Sequence, residues 1–158
     1  MMKKLGVFGL MALVVLVGCF FVACSTDSGS KTDKLVFTDT TVGAAKDFTV
    51  DSNFGFVVKF NDPALGGLIA KGDTISGKVT GVTGAWNSDY TGVAQNMKTN
   101  NANLSGTMGT MEVAISVIFT KGADNAITAI TVHFPDAATG DTNSIAAEGM
   151  MGGTYNLK

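Results

Sequence analysis

Arginine is missing from this 158-residue chain, whose eleven cationic side chains are all lysine. Bidentate recognition of phosphate and guanine leans on the guanidinium fork, and release of counterions needs clustered positive charge. Nucleic acid is therefore not an expected partner. Cysteine is just as scarce, with Cys19 and Cys24 near the N-terminus and none after them. A body without thiols offers no cysteine nucleophile, no zinc-thiolate site and no disulfide framework, so apolar burial and sheet hydrogen bonds must carry its stability. His133 is the single histidine, and Pro63 and Pro135 are the only prolines.

What the sequence does have is concentrated first at its start. Lys3 and Lys4 precede an apolar run from Leu5 to Val22, and Ala23-Cys24 gives way to the polar stretch Ser25-Thr26-Asp27-Ser28-Gly29-Ser30. That order is an export signal. A small residue before a cysteine at the end of the apolar core resembles the lipobox of bacterial lipoproteins. The resemblance implies that Cys24 is acylated and becomes the mature N-terminus. Leu16-Val17-Gly18-Cys19 is the alternative box, and cleavage there would leave Phe20, Phe21 and Val22 at the membrane surface. A plain transmembrane anchor, for which the apolar run is long enough, is the competing reading of the same residues.

These boundaries divide the chain into a signal peptide over 1–23, a tether over 24–33 rich in Ser, Thr, Asp and Gly, and one domain over 34–158. Ser25 after the modified cysteine resembles the outer-membrane sorting preference of enterobacterial lipoproteins. The expected location is the bacterial cell envelope, lipid-anchored at the outer membrane. With Lys3 and Lys4 removed, nine lysines face thirteen acidic residues, a net charge near −4. The body is thus not drawn to anionic lipid by charge, and attachment falls to the acyl chains.

Past the tether the pattern is that of short strands. Phe48, Val50, Ser52, Phe54, Phe56, Val58 and Phe60 occupy alternate positions, so six of these seven are apolar on one face. A period of two marks a half-buried strand, or a hairpin broken near Asp51 to Asn53. Further strands are expected over Leu35 to Val42, Thr74 to Trp86, Thr91 to Lys98, Leu104 onward through Met111 to Phe119, Ala126 to Phe134, and Gly153 to Leu157. Ile145 to Met151 reads as one helical turn or a short strand. Glycines at 77, 81 and 84 inside a strand pattern imply bulges or strong curvature. About eight strands with short connections predict an all-β fold, a small, strongly curved antiparallel meander barrel, with an immunoglobulin-like β-sandwich as the alternative. A transmembrane barrel would need apolar lipid-facing positions on every strand, whereas Asp51, Lys59, Lys78 and Glu112 punctuate the outward faces.

Chemistry-bearing constellations are sparse. Lys71 to Val82, with Gly72-Asp73 before Gly77-Lys78-Val79, resembles the first strand of S1-type RNA-binding OB domains over a dozen residues, but the base-stacking aromatics of that family have no counterpart in Ala85 to Ala94. A turn followed by a curved strand explains it. His133, Asp136 and Ser144 would make a hydrolase triad only if the fold converged them, and no Gly-x-Ser-x-Gly elbow is present. Asp124 with Asn125, and Asp136 with Asp141, are ordinary turn residues without a calcium-loop motif. No catalytic residue, metal site or cofactor is expected. Met97, Met108, Met111, Met150 and Met151 read as core filler or as the lining of an adaptable cavity. Trp86 and Tyr90 bracket a turn and are the candidate ligand-binding aromatics, against the reading that Trp86 packs over the barrel end. The expected function is a non-enzymatic envelope module that binds protein, glycan or a small apolar ligand; the alternative is a structural or surface-exposed lipoprotein with no ligand pocket.

Overall fold

The alternation from Phe48 to Phe60 is interrupted by a turn, and the cause is local. Asp51 Oδ1 accepts the backbone N–H groups of Asn53 at 2.8 Å and Gly55 at 3.0 Å, and Asp51 O accepts that of Phe54 at 2.9 Å. An aspartate that captures the N–H groups following it bends the chain back on itself. The period-two run is therefore a hairpin, with Phe48, Val50, Phe56, Val58 and Phe60 all buried on its inner face.

The computed structural model of the protein describes residues 33–39 and 45–158. The leader, both cysteines and nearly all of the tether lie outside them. Eight strands follow one another as β1 (Lys34–Asp39), β2 (Lys46–Asp51), β3 (Gly55–Phe60), β4 (Thr74–Gly84), β5 (Tyr90–Thr99), β6 (Val113–Lys121), β7 (Ile127–His133) and β8 (Gly153–Leu157). Each pairs antiparallel with the next, and β8 returns to β1. The result is a closed meander barrel, not a sandwich. The expected continuation of the first strand to Val42 falls outside the described residues beyond Asp39.

Closure needs curvature, and bulges supply part of it. Between Thr80 and Thr83 two residues of β4 oppose Gly92 alone, and Gly81 takes a φ of +60° that only glycine adopts without cost. Between Ser76 and Lys78 the extra residue is on β5, where Asn96 takes a φ of +53°. At the second of these sites Gly77, between Ser76 and Lys78, faces inward. A Cβ there would lie 2.7 Å from Phe56 and 2.8 Å from Met97 Sδ, so the absent side chain is what lets the neighbours fill the interior.

Two segments differ from the sequence expectation. The stretch from Leu104 to Gly109 is not a strand; it carries a single helical turn, α1 (Ser105–Met108), which buries Met108. Asn101 explains the turn, because its side chain accepts Asn103 N–H and its carbonyl accepts those of Leu104 and Ser105. Ile145 to Met151 belongs to a ten-residue helix, α2 (Thr142–Met151), capped by Asp141, whose side chain accepts Ser144 N–H at 2.8 Å. Its inner face is Ser144, Ala147, Met150 and Met151, while Ile145 is exposed, so hydrophobicity does not mark the buried side.

Replacing Phe56 by Asp puts a charge among Phe48, Gly77 and Met97 and is expected to cost at least about 4 kcal/mol. Thermal unfolding followed by circular dichroism checks this, and an unchanged melting temperature would refute the inward assignment.

Candidate functional site

An antiparallel meander sends its connections to alternate ends, and here the two ends differ. The short turns 52–54, 85–89 and 122–126 lie at one end together with Asp33, whose carbonyl accepts Ser52 N–H at 3.1 Å, and with Lys158. The described connections 61–73, 100–112 and 134–152 lie at the other. These long connections send apolar residues into the core: Ile69 from the first, Met108 and Met111 from the second, and Phe134, Ala147, Met150 and Met151 from the third. The five methionines singled out in the sequence are all buried there, which makes them core filler.

The long-loop end is knitted by asparagine. Asn101 Nδ2 donates to Leu68 O at 2.8 Å and to Asp73 Oδ2 at 2.6 Å, and Asn100 Oδ1 accepts Thr74 N–H. Ala64 and Ile69 bridge across a tight loop whose tip is Leu65-Gly66-Gly67-Leu68. Ile69 points into the core, while Leu65 and Leu68 are 51% and 44% exposed. Leu65 also holds a φ of +49°, a left-handed conformation that costs a branched side chain on the order of 1 kcal/mol. An apolar side chain both strained and solvated is a poor choice for stability alone. No composition rule had marked it.

Below the same end lies an ion pair that sequence reasoning also missed. Lys46 Nζ donates to Asp39 Oδ2 at 3.0 Å, reaches Gly152 O at 3.5 Å and stands 5.3 Å over the Tyr155 ring. Both side chains are buried, and the two residues are direct partners in the β1–β2 ladder. Parity would have found them, since Asp39 shares its face with Phe37 and Lys46 shares its face with Phe48. Tyr155 O–H donates to Met151 O at 2.6 Å, tying β8 to α2. Burial pushes the Tyr155 phenol well up, and the charges of Asp39 and Glu148 push it further, so it stays protonated at neutral pH.

No family model, curated protein or solved structure matches this chain. Its chemistry has to be read from its own residues. His133 and Ser144 are not joined in a triad: His133 Nδ1 lies 3.1 Å from Glu148 Oε2, which also accepts Phe134 N–H at 2.7 Å, and Ser144 is buried in the first turn of α2. Asp136 sits in a 3-10 turn, where its carbonyl accepts from Thr139. Among the described residues no three acidic, histidine or cysteine side chains cluster as metal ligands.

The aromatic candidates separate. Tyr90 is 2% exposed and belongs to the interior, against Phe54 and Phe119, and burial followed by the Asp51 charge holds its phenol protonated. Trp86 is half-buried at the short-turn end, edge-on to Phe119 at 6.2 Å, with its Nε1 enclosed and without a hydrogen-bond partner. It packs over the barrel end, as one of the two sequence readings held. A groove of about 450 Å³ opens to solvent beside β5 and α1, lined by Asn96, Met97, Lys98, Thr99, Ser105 and Gly109. It lies outside the barrel wall, not in its interior. Outside the wall too, Asp47 takes the Lys158 ammonium at 2.9 Å and the Thr38 hydroxyl at 2.7 Å. Partial burial raises its carboxyl, but those two hydrogen bonds, one from Asn61 and the Lys158 charge outweigh burial and hold it below the ordinary value.

The Lys46–Asp39 geometry makes a double-variant prediction. Lys46→Met should destabilise the barrel by about 3 kcal/mol, because it takes the ammonium from a buried carboxylate, and adding Asp39→Leu should restore most of that loss. Urea unfolding of both variants measures the coupling; independent, additive losses would show that the pair is not the unit.

Proposed function

We propose that the protein is a bacterial envelope lipoprotein, acylated at Cys24 and held at the outer membrane, whose barrel is a non-enzymatic interaction module. Its partner is a protein met by the long-loop end. The observation that carries this reading is the placement of Leu65 and Leu68 at one end of the barrel and of Asp33, where the tether joins, at the other. A tether that leaves from the short turns points the long loops away from the lipid. Strained, exposed apolar residues on loops held by a rigid scaffold are a common form of recognition surface.

The interior speaks against the version in which the barrel carries a small apolar ligand. A ligand pocket of useful size is roughly 300 Å³ or more. Here Phe48 stacks on Phe56 of the neighbouring strand at 5.7 Å, Tyr155 tilts against Phe48 two strands away at 5.4 Å, and Phe37 meets Phe119 three strands away edge-on at 6.4 Å, so aromatic rings take up much of the space inside the wall. The same filling favours surface use, whether for recognition or for the structural role of a surface-exposed lipoprotein.

Two experiments test the two halves of the reading. Cys24→Ala is expected to abolish labelling by radioactive palmitate and to leave the precursor unprocessed; labelling that persists would move the acyl group to Cys19. A photoreactive residue in place of Leu65, in the anchored protein, should give one discrete protein adduct in cells, while the same probe in place of Lys78 on the outer wall should not. Equal, diffuse crosslinking from both positions would remove the long-loop end as the recognition face.

A further inference from the structure

The short-turn end of the barrel is unfinished. At the opposite end the long connections cover the core, but here only turns of three to five residues span the opening. Side chains that belong to the inner rows consequently reach the rim half-covered. Leu35 from β1, Phe54 from the β2–β3 turn, Val82 and Trp86 around the β4–β5 turn, and Ile127 from β7 all pack on the core while remaining only partly buried. Leu157, which pairs with the buried Phe37, is 41% exposed. The three short turns or the strand residues beside them, and both strands of the β8–β1 seam, contribute to this ring. Phe54 holds a φ of +60° to keep its ring there, 4.9 Å from Tyr90.

We infer that this apolar rim rests on the bilayer to which the chain is anchored, with Trp86 at the level of the lipid headgroups. The inference depends on acylation of Cys24 as proposed above. From Cys24 to Asp33 the chain is nine residues long, at most about 32 Å when fully extended and about 17 Å as a flexible coil. Asp33 lies at this rim, bonded to Ser52. The lipid surface is thus the nearest apolar medium to this end and is held there permanently. Indole rings are enriched at membrane interfaces, and the half-buried Trp86 ring is what this end offers there; its Nε1 and the Asn87 Oδ1 beside it are enclosed and take no part in the contact. Charge does not direct the contact, since Lys34 and Lys121 at this end are outnumbered by Asp33, Asp51, Asp89 and Asp124, and the Lys158 ammonium is taken by Asp47. Zwitterionic lipid should therefore serve, and added salt should not release the contact.

Trp86 is the only tryptophan of the chain, so its fluorescence reports this end alone. The test uses the processed, acylated protein reconstituted in phosphatidylcholine vesicles that carry bromine either high or deep on the acyl chains. Vesicle flotation and the mass of the mature chain are measured on the same sample. Flotation together with quenching of roughly twofold by shallow bromine, weaker quenching by deep bromine, and no change in high salt are the expected results for an interfacial indole. Leu157→Ser should float equally and lose much of the quenching. Protein that floats without quenching overturns the contact and leaves the anchor standing. A mature mass that retains residues 1–23, or protein that does not float, overturns the anchor and the contact together.

Discussion

Ring closure between the last strand and the first is the contact on which the rest of this structure depends. Only Phe37 with Leu157 and Thr38 with Asn156 pair as ladder residues, extended by the Lys158 N–H to Val36 O. Without that seam β1 and β8 would both be open edges, and the inner rows of Phe37 and Tyr155 would face water. The seam is short, so its neighbours reinforce it. Lys158 bonds Asp47 across β1 on the outer side, the buried Lys46–Asp39 pair reaches Gly152 at the start of β8 on the inner side, and Tyr155 anchors to α2. Charge is used where the apolar ladder is shortest.

A buried ion pair is a costly way to stabilise a sheet, because desolvation of both groups offsets most of their attraction. Its value here is in register. Asp39 and Lys46 are cross-strand partners at the end of the ladder nearest the next connection, and a one-residue slip of either strand would turn its charge and its phenylalanine outward and leave the other charge buried without its partner. The pair therefore penalises the wrong register far more than it rewards the right one. A first hairpin that contains no cysteine gains specificity in this way.

Side-chain parity made most of the wall legible in the sequence. The rows Phe48 to Phe60 and Met111 to Phe119 repeat every second residue, and each of their apolar members in the strands is buried. The final strand, Gly153 to Leu157, was also readable, as was the curvature implied by Gly77 and Gly81. What could not be read were the elements whose buried face is not apolar. In α2 the core side includes Ser144 while Ile145 faces water, and Gly149 lies mid-helix, so a 3.6-residue period is blurred. The α1 turn depends on hydrogen bonds from Asn101 that a polar Asn-rich stretch does not distinguish from a loop. The recognition candidates at Leu65 and Leu68 were hidden for a related reason. In sequence they are part of a short apolar segment, and only the left-handed backbone at Leu65, Gly66 and Gly67 turns them away from Ile69 and the core.

The two ends of the barrel meet the same physical problem in opposite ways. A wall of eight short strands encloses its interior sideways but leaves two openings, and apolar residues at the last inner row of each must be covered or left in water. At one end the described long connections 61–73, 100–112 and 134–152 do the covering, at the entropic cost of ordering that chain. At the other end the turns are too short to fold over, and the inner rows end in Leu35, Ile127 and Leu157 with Trp86 leaning across. Shortening the turns saves loop entropy only if something else removes the rim from water. On the proposed reading, a lipid surface held within reach by an acylated Cys24 would do so at no further cost in translational freedom, because insertion of the acyl chains would already have removed it. On that reading the asymmetry of the connections, long at one end and minimal at the other, follows from which end is tethered.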